Sequence, residues 1–238
     1  MLWYKAWLET RSRFLIALLG ITALCSFTVF HGIQQKLPYT KVSYYFMVLH
    51  EGHAMLALMW VVAVTLLMMG GLLREKAAGA SSFTLSLPVS RARLMSVRIL
   101  MGLIQNLALV IVPWIAMFLI TSFTGWTPLM SQVWFHLAVL AGGGLIFFAV
   151  ALLISSVVEG EYTAPLVSFG IVIALGIGFG RESLRAYNPF EFITGEQNFD
   201  RHTMLLIGPI PWIHIMVSML LAVLFIAVSV KVIQAREF

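Results

Sequence analysis

Six apolar runs, at roughly residues 14–30, 54–73, 99–121, 135–158, 164–179 and 213–232, occupy most of the chain and leave only short polar segments between them. A helix needs about 20 mostly apolar residues to cross a hydrocarbon core about 30 Å thick. Each run therefore predicts one transmembrane helix. Residues 164–179 form the shortest run, and the second can begin earlier because Tyr44 to Leu49 are also apolar. The fold class is an all-α integral membrane protein with six transmembrane helices, a single transmembrane domain over residues 1–238. Composition agrees: 61% of residues are hydrophobic and only 11% charged, which leaves no material for a separate soluble domain.

The Lys and Arg residues set the orientation. Lys5, Arg11, Arg13, Arg74, Lys76, Arg91, Arg93, Arg98, Lys231 and Arg236 fall on one side of the six-span arrangement, and Lys36, Lys41, Arg181, Arg185 and Arg201 on the other. The positive-inside rule then places both termini in the cytoplasm of a cell with this chain in its inner (plasma) membrane. The first run is longer than a usual signal-peptide core, and "FTVFHGIQQ" has no small-residue cleavage pattern, so we expect a retained helix. The net charge of +5 is spread over the ends of apolar runs, which argues for topology and against nucleic acid.

Residues 1–13 place Lys5, Glu9 and Arg13 at i, i+4 and i+8, with Leu2, Trp3, Ala6 and Trp7 towards another face. This predicts an amphipathic helix in the membrane interface, the alternative being an extension of the first span. On the opposite side residues 180–212 mix both charge signs with aromatics, and Pro209 and Pro211 precede the last run. Short interfacial helices are expected there.

Motifs for catalysis are missing or incomplete. "HEGH" puts His50 and His53 three apart, whereas a zinc protease helix needs His-Glu-x-x-His and a further ligand. We expect these histidines to mark the mouth of the second span and no metal site. "GGLLREKAAG" lacks the Gly-Lys-Ser/Thr ending of a phosphate-binding loop. There is no nucleophile elbow and no pair of intramembrane carboxylates. Cys25 is the only cysteine, so an intrachain disulfide is excluded.

Polar residues within the runs are few. Thr65, Gln105, Asn106 and His136 are the main ones; bonding across helices is one reading of them, and lining a translocation path the other. Small residues four apart, such as Ala138 and Gly142, Ala151 and Ser155, or Gly176 and Gly180, favour close helix packing.

The segment between Arg74 and Arg98 is polar and basic. Ala80, Phe83 and Leu87 recur at i, i+3 and i+7, which predicts a short helix over residues ~79–87 lying along the membrane surface. Pro88 ends it. Here the sequence resembles the permease subunits of ABC-2 type exporters, in which a coupling helix lies between the second and third spans. Their pattern, Glu-x-x-x-Gly-Thr followed by Leu-Pro-Val-Ser-Arg, is met by Glu75, Gly79, Leu87, Pro88, Val89, Ser90 and Arg91. Ala80 stands in place of the family's Thr, and Ser82 where an acidic residue is common.

The resemblance implies a permease that pairs with a second copy or a paralogue around a path. Residues 75–91, with Phe83 on the docking face, engage a separate ABC ATP-binding subunit. That partner binds ATP and Mg; this chain itself carries no cofactor and is not an enzyme. Two other readings remain: an accessory membrane scaffold in a resistance or cofactor-maturation complex, and a membrane metalloenzyme using His50, His53 and His31. Nothing in the sequence selects a substrate.

Overall fold

A computed structural model describes residues 2–34, 50–68, 90–125, 128–158, 163–181, 184 and 187–235. In chain order it has α1 (Leu2–Gln34), α2 (Gly52–Leu67), α3 (Arg91–Phe123), α4 (Met130–Ala138), a π-helical turn (Val139–Gly143), α5 (Leu145–Val157) and α6 (Thr163–Phe179). There follow a short α7 (Pro189–Thr194), a 3-10 turn (Glu196–Asn198), an antiparallel pair of two-residue strands, β1 (Phe199–Asp200) and β2 (Leu205–Leu206), and α8 (Trp212–Ala235).

α1, α3, the α4–α5 unit and α8 are long and apolar enough to cross a membrane. α2 and α6, with 16 and 17 residues, are apolar but shorter, about 24 and 26 Å at 1.5 Å per residue.

α2 is the central helix. Leu56, Ala57, Trp60, Val61 and Val64 are all buried, and α2 touches α1, α3, α5 and α6. A helix apolar on every side belongs in such a position. α1, α3 and α8 instead carry large apolar side chains outward: Ile16, Leu19 and Phe27 on α1, Ile104 and Ile115 on α3, Ile213 and Leu220 on α8. A surface this apolar suits lipid and not water.

The Gly142-Gly143-Gly144 run lets three neighbours close on the π-turn. A Cβ at Gly142 would meet Ile215 of α8 at 2.7 Å, one at Gly143 would overlap Phe192 of α7, and one at Gly144 would meet Trp60 of α2 at 2.5 Å. A π-turn leaves irregular backbone bonding, and Ser218 Oγ of α8 donates to the Gly143 carbonyl at 2.6 Å.

Several boundaries differ from the sequence expectation. Residues 2–13 do not form a separate interfacial helix: they are the first turns of the continuous α1. Their polar face meets another helix, since Glu9 and Thr10 bond to Arg98 and Gln105 of α3. Nor does the third helix begin at 99. It begins at Arg91, so residues 91–98, expected in the loop, are helical. The run at 135–158 starts earlier, at Met130, and is interrupted by the π-turn. In residues 180–212 a short helix is present as expected, and a two-stranded turn is added to it. The predicted helix at ~79–87 lies outside the described residues.

Candidate functional site

Two polar clusters lie at opposite ends of α3. At its start, Ser90 is the N-cap, its Oγ accepting from Arg93 N at 3.3 Å. This satisfies one of the amide groups a helix start leaves open. Two turns on, Arg98 Nη2 donates to Glu9 Oε2 at 2.7 Å, and Lys5 Nζ stands 3.8 Å from Glu9 Oε1. One layer deeper Gln105 Nε2 donates to Thr10 Oγ1 at 2.7 Å. Asn106 is buried beside it in the chain, with neither side-chain polar atom hydrogen-bonded among the described residues.

At the other end His53 of α2, Trp114 of α3 and His136 of α4 meet. The two imidazoles pack edge to face with centroids 4.2 Å apart, and Trp114 lies 5.8 Å from His53 and 5.7 Å from His136. All three are buried. His53 Nε2 donates to the Ile193 carbonyl and His136 Nδ1 to the Gln132 carbonyl, each at 2.8 Å. A carbonyl oxygen only accepts, so these nitrogens carry the ring protons. His53 Nδ1 and His136 Nε2 have no hydrogen-bond partner among the described residues.

A cap of residues 189–206 closes this end. His50 Nε2 meets Glu196 Oε2 at 2.8 Å, and its ring stacks on Phe199 with centroids 3.7 Å apart. Arg201 reaches Glu196 Oε1 at 3.3 Å. Gln132 ties the cap to α4 in both directions, donating to Leu206 O and accepting from Leu206 N. An open cavity of about 720 Å³ lies over the cap, lined by Glu191, Glu196, Asn198, Arg201 and His214 among others.

Of the residues expected to couple to a partner, Glu75, Gly79, Phe83, Leu87 and Pro88 lie outside the described residues; Ser90 is the α3 cap and Arg91 the first residue of α3. Thr65, Gln105, Asn106 and His136 are all buried. Thr65 donates to Val62 O in its own helix. Among the described residues no hydrogen bond or ring contact joins any two of these four: Gln105 belongs to the Thr10 end, and His136 to the His53 end. "HEGH" and His136 were legible separately, but not their meeting, which depends on how α2 and α4 pack. The Glu9–Arg98 pair was legible only as two opposite charges on the same side of the predicted topology.

Long lipid-suited helices around a buried central one define a multi-pass α-helical membrane protein. The family model described as ABC-2 family transporter protein matches residues 27–234, most of the chain, and the protein belongs to that family. No curated protein matches it. It is thus a membrane permease component of an ABC transporter, and the resemblance read at Leu87 to Arg91 pointed to the right family.

Proposed function

We propose that this chain is the membrane-spanning subunit of an ATP-driven exporter. It acts as one transmembrane unit whose six apolar helices all cross the bilayer, with both termini in the cytoplasm of the inner membrane. Two such subunits, identical or related, pair around a path. A separate ATP-binding subunit holds ATP and Mg and performs hydrolysis. The family match over residues 27–234 carries this reading.

In this reading residues 75–91 dock into the partner, with Phe83 and Leu87 supplying apolar contact and Glu75 and Arg91 orienting it. ATP can shift the permease only through contacts that differ between the two states of the ATPase. The start of α3 supports a transmission route. The proposed docking segment, 75–91, runs into the start of α3 at Ser90 and Arg91, and Arg98 and Gln105 tie the N-terminal half of α3 to α1. A shift of the segment is thereby delivered to two helices at once. Thr65, Gln105, Asn106 and His136 are the intramembrane residues that we assign to a path.

The test is recovery of the native ATP-binding subunit with wild type and with Phe83→Asp at equal membrane levels. Docking predicts weakened recovery with Phe83→Asp; undiminished recovery and transport would remove the coupling assignment. For orientation, Ser90→Cys and His202→Cys in a Cys25→Ala background should respond oppositely to an impermeant thiol reagent in intact cells. His202→Cys is the one expected to label; labelling of Ser90→Cys alone would reverse the topology.

A further inference from the structure

We propose that a groove between α3, the α4–α5 unit and α8 holds one acyl chain of a phospholipid from the bilayer leaflet at the cap end, with the lipid's zwitterionic amine–phosphate headgroup at the polar cavity over the cap. The groove has a volume of about 550 Å³, and every residue that lines it is apolar. Small side chains make the room: Ala138 and Ala141 line it together with the larger, exposed Leu107 and Ile111 of α3. Val110 and Ile215, both buried, line its protein side.

Its length is that of one leaflet. It runs from Trp134 to Gly142 of the π-turn and from Trp212 to Met219 of α8, which is about 10–12 Å at 1.5 Å per residue. Half of a hydrocarbon core about 30 Å thick is about 15 Å. Trp134 and Trp212 are both exposed and stand at the cap end of the groove, and tryptophans on a membrane protein's surface gather at headgroup depth. A second copy of the chain suits the groove less well: twelve residues line it, whereas a stable interface takes roughly 20–30 residues a side.

A chain already in lipid gains nothing from the hydrophobic effect by entering an apolar groove, so packing holds it and the headgroup must select it. The start of α8 brings the two parts of the site together. Ile210, Trp212 and Ile215 line the groove, and Pro211 and His214, which alternate with them in sequence, line the polar cavity. That cavity presents both signs of charge, the carboxylates of Glu191 and Glu196 and the guanidinium of Arg201. Arg201 bonds Glu196 and still keeps 78% of its side chain exposed. A phosphate is matched by the guanidinium and a primary ammonium by the carboxylates; an anionic headgroup without an amine meets two carboxylates unmatched. This lipid site goes beyond the transport reading and does not depend on it.

The experiment is native mass spectrometry of the purified full chain in mild detergent, with phosphatidylethanolamine or phosphatidylglycerol of identical acyl chains added. One phosphatidylethanolamine per chain should be retained, with a preference over phosphatidylglycerol of at least about tenfold, or about 1.4 kcal/mol. Ala141→Phe and Leu107→Trp fill the groove from two different helices and should each lower retention about tenfold or more; the variant that melts like the parent in lipid-free detergent is the one that decides. Glu191→Gln should retain a lipid and narrow the headgroup preference. Leu220→Phe, on the exposed side of α8 away from the groove, should bind like the parent. Absence of a retained lipid, unchanged retention in both groove-filling variants, or a preference for phosphatidylglycerol would each overturn the assignment. A dimer of the parent that Ala141→Phe dissociates, with no lipid lost, would give the groove to a second copy of the chain and overturn it as well.

Discussion

Arg98 Nη2 lies 2.7 Å from Glu9 Oε2, joining two helices across 89 positions of sequence. The pair is only partly exposed, at 18% and 30% for the two side chains, so water competes with it less than at an open surface. It lies directly above the bond from Gln105 to Thr10, and the two contacts fix the register of α1 against α3.

Glu9→Gln and Arg98→Met should therefore each lower the thermal stability of the detergent-solubilised chain, and the double variant should lose less than the sum. We expect a coupling of about 1–2 kcal/mol in the double-mutant cycle. Strict additivity would show that the first turns of α1 are held by apolar packing alone.

The glycine run at the π-turn yields a graded prediction. Gly144→Ala meets the Leu140 carbonyl as well as Trp60, and Gly143→Ala meets Phe192, whereas a Cβ at Gly170 of α6 finds nothing within 4 Å. The first two substitutions should destabilise by about 1–3 kcal/mol or more, as overpacking does. Gly170→Ala should be neutral or slightly stabilising, because Ala restricts the unfolded chain more than Gly. Melting temperatures of the three variants, compared in one detergent, check the order.

The parts of this fold that were legible in the sequence are those set by one property along the chain. Apolar length located the helices, because only helices satisfy their own backbone in lipid; the Leu87 to Arg91 pattern pointed to the family. Helix ends were less legible. Residues 2–13 satisfy the pattern of an interfacial helix, and only the positions of Arg98 and Gln105 on α3 decide that their polar face has a protein partner. Likewise Arg91, Arg93 and Arg98 suggest a loop by charge, although all three are compatible with a helix capped by Ser90. The histidine cluster depends on three helices and a cap meeting, and no local pattern encodes that.

Asp200 holds the cap's turn. Its carboxylate accepts from Thr203 Oγ1 at 2.7 Å, from His202 N at 3.1 Å and from Thr203 N at 3.1 Å. The Thr203 hydroxyl, and next the His202 amide, hold its pKa below the ordinary value of 3.8. A lowered carboxyl pKa contributes stability that is fully present above the unfolded value and is lost as pH falls through the folded one. The turn should keep its order at neutral pH and loosen only below pH 3.8. Asp200→Asn should remove that acid-side dependence, read as the rate of limited pepsin cleavage near residues 201–204 against pH.

Ser90 tests whether the start of α3 is a structural boundary or a contact. Its hydroxyl oxygen accepts from Arg93 N, and its carbonyl accepts from the Arg93 and Leu94 amides, so the side chain completes the first turn. Removing such a cap costs about 0.5–2 kcal/mol with Ala, whereas Asn restores the acceptor. We expect Ser90→Ala to lower stability by about 1 kcal/mol and, if residues 75–91 dock as proposed, to weaken recovery of an ATP-binding subunit in proportion, because that segment would then lead into a frayed helix. Ser90→Asn should match wild type in both measurements. A variant with Asn that melts like wild type yet fails to recover the partner would instead assign the Ser90 hydroxyl a direct contact, and the cap would no longer explain why serine stands at this position.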